Sequence, residues 1–139
     1  MIPALKNAEF VRYGVMHRNT FLNSPKLLCS DYSARKDRDV FFAGQMTGVE
    51  GYIESTASGM TAGRALARKL LGKDAVEFPR ETAIGALSAY ISDEAIEKFQ
   101  PMNINFGLIP PLGYRVKGKR NKNAELSKRA LEALEQTER

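Results

Sequence analysis

The sequence predicts an α/β domain with few strands, organised around a buried strand, a glycine-rich turn and a long helix. Residues 40–43 (VFFA) form a short apolar run, β-branched and aromatic, of the length expected for a strand covered on both faces. Residues 44–51, the glycine turn, contain three glycines that permit a sharp change of direction or close approach to a ligand. From about Glu50 onward the apolar spacing becomes helical. A strand that enters a helix through glycines directs several backbone N–H groups to one point, which suits phosphate or another electron-rich group.

Composition places the chain among small soluble globular domains. Its 139 residues fit one domain with its own core, and its 43% hydrophobic and 27% charged residues are ordinary for that class. A net charge of +5 is compatible with a polyanionic partner such as nucleic acid. Because no apolar run is long enough to span a bilayer and no signal-peptide pattern is present, we expect a cytoplasmic protein with no membrane partner.

Cysteine and histidine each occur once. Cys29 cannot form an internal disulfide, which suits a reducing cytosol, and its neighbours indicate a packing role. His17 stands beside Arg18 and Asn19 at a predicted strand end, where α/β folds collect ligand contacts, although a lone histidine is more often structural or on the surface. With no second histidine or cysteine, we expect no metal site.

Two further strands are predicted before the glycine turn, at residues 8–15 and 26–32. The long helix is predicted to end at Gly72, a C′ glycine. Its apolar residues follow helical spacing along one stripe, and its small residues keep much of the remaining surface thin, so the helix can lie close to a sheet. The stripe comprises Ile53, Ala57, Met60, Ala67 and Leu71, and the small residues are Ser55, Ser58, Gly59, Ala62 and Gly63.

Three more helices are predicted beyond residue 72, at residues 80–92, 93–99 and 124–138, the last with Asn123 as its N-cap. Residues 99–112 (FQPMNINFGLIPPL) are apolar and non-repetitive, so they must be buried and their free carbonyls need partners. A structural lap across the domain and direct ligand contact both remain open for this segment. The side chains suited to either role are Gln100, Asn103 and Asn105.

A basic segment follows at residues 115–122 (RVKGKRNK). It is either a solvated loop or a surface that contacts the phosphate backbone of nucleic acid, where a few cations give salt-dependent and sequence-independent affinity. Its cations are Arg115, Lys117, Lys119, Arg120 and Lys122.

Neither a G-x-G-x-x-G nor a G-x-x-x-x-G-K-[ST] motif occurs in the chain. Self-contained nucleotide-binding α/β domains normally begin with such a turn. The central unit therefore indicates one part of a nucleotide-binding fold whose other part is missing.

Four stretches resemble one bacterial family: MIPALKNAEFVRYGVMHRNTFLNSPKLL, FFAGQMTGVEGYIESTASGMTAGRALAR, PRETAIGALSAYI and FQPMNINFGLIPPL. The family is the folate- and FAD-dependent tRNA (uracil-5-)-methyltransferase, and the resemblance is to its C-terminal third. It implies that residues 1–139 are the C-terminal portion of a Rossmann-like FAD-binding domain. Residues 1–72 would supply strands, the glycine turn and the long helix, and residues 73–139 the C-terminal helices.

The resemblance also implies a chemistry. The complete enzyme makes the 5-methyluridine of the tRNA T-loop, with methylenetetrahydrofolate as carbon donor, reduced FAD as electron source and NAD(P)H to recharge the flavin. The dinucleotide-binding motif and nucleophilic cysteines would lie in the missing N-terminal portion, which could be a separate partner chain. FAD would contact Gly44, Gln45, Thr47, Gly48, Val49, Glu50 and Gly51, with substrate or folate beside His17, Arg18 and Asn19. Tyr52 would face the substrate as the candidate catalytic residue.

Two other interpretations remain open. The chain could be a non-catalytic module that binds tRNA or another RNA through the basic segment. It could also be an inactive truncated fragment that is stable only with the missing portion or as an oligomer.

Overall fold

In a computed structural model of the protein, the residues that the structure describes are 2–9, 11, 14 and 20–137. They form four α-helices and two short 3₁₀-helices, linked by turns and extended segments. The α-helices are α1 (Ser24–Leu27), α2 (Tyr52–Leu70), α3 (Ala83–Ser92) and α4 (Lys119–Thr137), and the 3₁₀-helices are Pro3–Leu5 and Gly44–Thr47. Within these ranges β-pairing is limited to three isolated bridges.

The predicted strand at residues 40–43 is wrong as a regular strand. Phe41 makes one antiparallel bridge to Ser33, and the Phe42 N–H donates to the Tyr32 carbonyl at 3.0 Å. A covered strand needs partners along both edges, and in the described part of the chain this segment pairs only with residues 32–34. Val40 accordingly remains exposed instead of buried.

The predicted strand at residues 26–32 is also wrong, because α1 occupies the start of that range. Pro25 sits in the first turn of α1, where its fixed φ favours the helix and its missing N–H costs nothing. The chain then reverses through Tyr32, whose φ is +67°. Half of the residues of the predicted strand at 8–15 lie outside the described residues.

The long helix and its stop are confirmed. Helix α2 ends in a Schellman arrangement, in which the Gly72 N–H donates to the Lys69 carbonyl and the Lys73 N–H to the Arg68 carbonyl. Gly72 has a φ of +64°, which glycine adopts without steric cost.

The buried face of α2 is not its apolar stripe. Ile53 is 81% exposed, Met60 52% and Leu71 68%, whereas Ser58, Thr61 and Ala62 face the core. Burial of the two hydroxyls is tolerated because the helix's own carbonyls accept from both of them at 2.7–2.9 Å. The small inner face lets α2 pack against α3, so the apolar stripe is left on the outside.

Two apolar clusters form the core. The larger joins α2 and α3 to the turns around them, and the smaller lies where α4 meets α3 and the 99–112 segment. The first contains Leu28, Tyr32, Val49, Ala62, Leu87, Ile91 and Phe99, and the second Ala86, Ile109 and Leu126.

Helix α3 begins at Ala83, three residues later than predicted. Its N-cap is Thr82, whose Oγ1 accepts from the Gly85 N–H at 3.0 Å. Residues 93–99, predicted as a short helix, are turns instead. Asp93 explains part of this, because its carboxylate accepts from the Ala95 N–H and so competes with helical bonding.

The 99–112 segment is a structural lap, one of the two interpretations left open for it. Met102 pairs in a parallel bridge with Val49, and Arg129 of α4 donates to the carbonyls of Pro110 and Pro111. Helix α4 begins at Lys119, five residues before the predicted start, and Leu126 is its buried residue. Among the helices described, none combines the length and apolarity needed to cross a membrane.

Candidate functional site

The glycine turn connects the paired segment around Phe41 to the start of α2. Its first half is the 3₁₀-helix Gly44–Thr47, and its second half carries Val49, bridged to Met102. The Ser24 hydroxyl of α1 donates to the Thr47 carbonyl at 2.8 Å and is fully buried. The turn is therefore held from both sides, by α1 and by the 99–112 segment.

Two of the three glycines are required by the chain's own side chains. A Cβ on Gly48 would stand 2.6 Å from Cε1 of Phe99, and one on Gly51 would stand 2.8 Å from Nδ2 of Asn103 and overlap Glu54. Both glycines also have positive φ, +83° and +89°. The close approach at these positions is thus to the protein itself.

Gly44 is different. A Cβ there would meet nothing nearer than the Ser55 Cβ at 4.0 Å, and its φ of +73° is the reason for glycine. Its N–H donates to the Ser58 hydroxyl at 2.7 Å, which in turn donates to the Ser55 carbonyl. This chain of bonds ties the beginning of the turn to the second turn of α2.

The structure gives internal roles to three other predicted contacts. Thr47 is fully buried and its hydroxyl donates to the Gly44 carbonyl at 2.7 Å, and Val49 belongs to the core. The Glu50 N–H donates to the Met102 carbonyl at 3.0 Å. The side chains of Thr47 and Val49 therefore stabilise the turn from within and face away from solvent.

An open surface remains at the start of α2. Gln45 and Met46 are exposed beside it, and Tyr52 is 95% exposed. Helix α2 begins at Tyr52 and its N-cap, Gly51, has no side chain to cap it, so the amides of Tyr52, Ile53 and Glu54 have no acceptor within the helix. These free amides lie at the positive end of a 19-residue helix, next to the amide side chain of Gln45 and the phenol of Tyr52. Such a group of donors can bind a planar ligand with electron-rich oxygen or nitrogen atoms.

Three further predicted site residues cannot be placed relative to this surface. His17, Arg18 and Asn19 lie outside the described residues. Cys29 is half-buried, and its backbone N–H donates to the Ser33 carbonyl at 2.9 Å; the packing role of its side chain stays a prediction.

A polar cavity of about 350 Å³, which sequence reasoning missed, lies between α2 and α3. Asp31, Glu77 and Ser88 are among the residues that line it. Tyr32 is buried, and this burial raises its pKa above 10.0, while the neighbouring Ser88 hydroxyl opposes that rise. No sequence pattern signals the cavity, since its walls come from separate elements.

The basic segment becomes part of a helix terminus. All five of its cations are exposed, and three of them occupy the first turn of α4, which contains no acidic residue. Cations at a helix N-terminus are repelled by the helix dipole, so the segment has an uncompensated positive potential. The three are Lys119, Arg120 and Lys122.

Asn121 was missed by sequence reasoning at this terminus. Its Nδ2 donates to the Lys117 carbonyl at 3.2 Å, and the Lys122 N–H donates to the Gly118 carbonyl at 3.0 Å. Gly118 has a φ of +86°. These contacts hold the loop that carries Lys117 against the first turn of α4. The one asparagine within residues 115–122 was the feature of the sequence that could have indicated them.

Comparisons with known proteins give the family context. Residues 1–74, more than half of the 139, match the family described as glucose inhibited division protein A. Three similar relatives share one name, methylenetetrahydrofolate–tRNA-(uracil-5-)-methyltransferase TrmFO. The protein of Heliobacterium modesticaldum is 60% identical over 135 residues, that of Natranaerobius thermophilus 59% over 135, and that of Acetivibrio thermocellus 57% over 136.

These alignments cover 97–98% of this chain and 31% of each relative, so the chain spans about a third of the relatives' length. The predicted resemblance to the tRNA (uracil-5-)-methyltransferases is confirmed. The placement of the chain in the C-terminal third of such an enzyme is not confirmed by these matches and stays a prediction.

Proposed function

The chain belongs to the glucose inhibited division protein A family, a family of Rossmann-like FAD-binding proteins, and from this premise we propose that it is one part of a flavin-dependent enzyme that methylates uracil of tRNA at C5. The observation that carries the proposal is the 57–60% identity, over nearly all of this chain, to relatives named for that reaction. Methylenetetrahydrofolate, which those names include, is the proposed carbon donor. The T-loop uridine is the proposed target.

The proposed flavin contacts lie at the open start of α2. The amides of Tyr52, Ile53 and Glu54 would donate to the electron-rich edge of the isoalloxazine, and the exposed Gln45 side chain would donate beside them. Gly48 and Gly51 would act indirectly, by allowing Phe99 and Asn103 to pack behind the turn. The uncapped amides and the open position at Gly44 support this arrangement, because a group can approach there without displacing the chain.

When bound, FAD would supply the reducing electrons for the methyl group, and NAD(P)H is the proposed source of those electrons. The chain's own contribution is binding and orientation. The positive end of α2 favours a negatively charged ligand edge, and Tyr52 projects its ring into solvent, where it can stack on or hydrogen-bond to a substrate. His17, Arg18 and Asn19 remain proposed contacts for substrate or folate.

The remaining two thirds of the relatives' length would supply the rest of the site. By family resemblance, the dinucleotide-binding motif and the nucleophilic cysteines lie there. Cys29 is half-buried and is not assigned a catalytic role. The lone chain should therefore bind FAD weakly and be inactive, whether the other portion is the same polypeptide or a separate partner.

Flavin titration tests the proposal. FAD would be titrated into the chain, into a polypeptide comprising the part of the Heliobacterium relative that this chain does not match, and into their mixture. We expect quenching of flavin fluorescence at stoichiometric FAD in the mixture only. Tight stoichiometric binding by the chain alone, or none by a mixture that has associated, would refute it.

A second candidate, an RNA-binding module, is supported by one observation. Five exposed cations converge at the positive end of α4 without an acidic residue in the first turn. Such a surface gains free energy from a phosphate backbone through counterion release. Binding of tRNA by the lone chain, without flavin, would be its signature.

A further inference from the structure

The polar cavity between α2 and α3 has a buried hydroxyl in its wall that the described part of the chain leaves unsatisfied. Ser88 of α3 lines the cavity and is only 5% exposed. Its hydroxyl has no hydrogen-bond partner among the described residues, although the Tyr32 side chain lies beside it. A buried hydroxyl without a partner costs free energy, so a group that bonds to Ser88 from the cavity would recover that cost.

The other hydroxyls of the cavity wall already donate their protons within the chain. Thr61 and Ser92 each donate to a carbonyl of their own helix, at 2.8–2.9 Å. Ser30 donates to Oε1 of Glu77 at 3.1 Å. Each of these oxygens keeps lone pairs but has no proton left for a ligand. The hydroxyls of the wall therefore suit a ligand that donates hydrogen bonds.

The charges around the cavity favour a cation. Three acidic residues and one basic residue line it, namely Asp31, Glu77, Asp93 and Arg80. Asp31 is paired with Arg38 at 2.8 Å, whereas neither Glu77 nor Asp93 forms an ion pair within the described ranges. The two unpaired carboxylates outweigh the single guanidinium, so the lining has an excess of negative charge.

An organic ammonium group suits these walls better than a metal ion. The described residues contain no group of three or more histidine, cysteine or acidic side chains that could hold a metal. A primary ammonium group carries one positive charge and three N–H donors, and it has no acceptor. The volume of about 350 Å³ is at the lower end of the range for small-molecule sites.

We propose that the cavity between α2 and α3 binds a small molecule through its primary ammonium group, with Ser88 and Glu77 accepting its N–H donors. Glu77 is exposed and would hold the positive charge near the opening, whereas Ser88 is buried and would bond deeper in. The site is distinct from the surface at the start of α2, because Thr61 lies about 14 Å along the helix from Tyr52. It goes beyond the proposed function and does not depend on it.

Amide chemical shifts of the full chain test the proposal. The probe is n-butylammonium chloride, with sodium chloride added to keep the ionic strength constant. We expect saturable shifts at the amides of Gly85, Ser88 and Ala89, which line the cavity. The matched probe is n-butyltrimethylammonium, which has the same charge and alkyl chain but no N–H donor. It should bind at least about tenfold more weakly.

Three variants establish the sign of the charge that the site selects. Glu77→Gln should weaken binding about threefold, and Arg80→Gln should strengthen it by a similar factor because it removes a like charge. Ser88→Ala should weaken binding about tenfold, because it removes a buried acceptor for a charged donor. Glu135→Gln, which removes the same charge from an exposed position of α4, is the matched control and should bind like the unmodified chain.

Folding has a separate readout. Urea unfolding should show little loss of stability in Ser88→Ala, because the hydroxyl that it removes has no partner to lose. Glu77 and Arg80 are exposed, so their variants test the proposal even if Ser88→Ala does not fold. Absence of saturable shifts would mean that the cavity holds solvent only and would overturn the proposal. Equal binding of the two probes, or stronger binding by Glu77→Gln, would overturn it as well.

Discussion

Gly48 packs against the tip of the Phe99 ring, so that a Cβ on Gly48 would stand 2.6 Å from Cε1 of that ring. Phe99 is buried and meets Tyr90 at a centroid distance of 5.4 Å and Phe21 at 6.1 Å. The glycine turn is thereby locked to the aromatic centre of the core. Changes to its glycines will act on stability before they act on any ligand.

Gly48→Val should destabilise the chain by about 2–4 kcal/mol, because the side chain adds strain at positive φ and overpacks the Phe99 ring. Urea unfolding followed by circular dichroism measures the change. Gly113→Val is the control, at an open glycine without positive φ, and should change stability by less than about 0.5 kcal/mol. Equal stability of the two variants would show that the packing at Gly48 is misdescribed.

Thr82→Ala should destabilise the chain by about 1 kcal/mol, because α3 loses its N-cap. The Thr82 hydroxyl also donates to the Pro79 carbonyl at 2.7 Å, so the substitution removes a hydrogen bond to the preceding loop as well as the one to the helix. Urea midpoints compared with those of Thr56→Ala, an exposed threonine of α2, isolate the capping contribution. A Thr82→Ala midpoint no lower than that of Thr56→Ala would contradict it.

Tyr32→Phe should make stability less dependent on pH at alkaline pH. Burial raises the folded-state pKa of Tyr32 above 10.0, so its stabilising contribution is complete below pH 10 and is lost as pH rises through the folded-state pKa. Above pH 10 this group alone lowers the free energy of unfolding by up to about 1.4 kcal/mol per pH unit.

The measurement is urea unfolding at several pH values between 8 and about 11.5, a range that brackets the ordinary tyrosine pKa. Tyr52→Phe, which removes an exposed phenol, is the control and should keep the alkaline slope of the unmodified chain. Identical slopes for Tyr32→Phe and the unmodified chain would mean that the Tyr32 phenol is not sequestered from water.

Neutralising the basic segment should lower both the affinity for tRNA and its salt dependence. The triple variant Lys117→Gln, Lys119→Gln, Arg120→Gln removes up to three phosphate contacts. The slope of log K against log salt should therefore become less steep by up to about 2–3.

Fluorescence anisotropy with labelled tRNA at several salt concentrations gives the slope. The control is the triple variant Lys6→Gln, Lys36→Gln, Lys98→Gln, which removes the same charge from exposed positions outside the basic segment. If the two triple variants behave alike, binding reflects net charge only, and the basic segment is not an interface.

Local signals in the sequence predicted some elements well. Gly72 stops α2 as expected, and the start of α2 follows the glycine turn, because both depend on backbone conformations that glycine itself favours. Residues 99–112 form the predicted non-repetitive segment, but the prediction that they are buried holds only for Phe99 and Ile109. Family membership followed from motifs that span most of the chain.

Features that depend on distant partners could not be read in the same way. Periodicity identified the apolar stripe of α2 but not which side meets this chain's own core; Ser58 and Ala62 face it because small residues fit against α3. Residues 40–43 have the composition of a covered strand. A strand needs partner strands, and in the described residues this segment makes only one bridge, between Phe41 and Ser33. At the site, the sequence predicts Thr47 and Gly48 as ligand contacts. It could not indicate their contacts within the protein, Ser24 and Phe99, because these residues are far away in sequence.

Reconstituted methyl transfer tests the central claim most directly. Methylenetetrahydrofolate labelled in its one-carbon unit, FAD, NADPH and tRNA would be added to the chain, to the unmatched part of the Heliobacterium relative, and to both together. We predict label at C5 of the T-loop uridine with both polypeptides present and none with either alone. Label transfer by the chain alone, or none by an associated complex that retains FAD, would contradict the account.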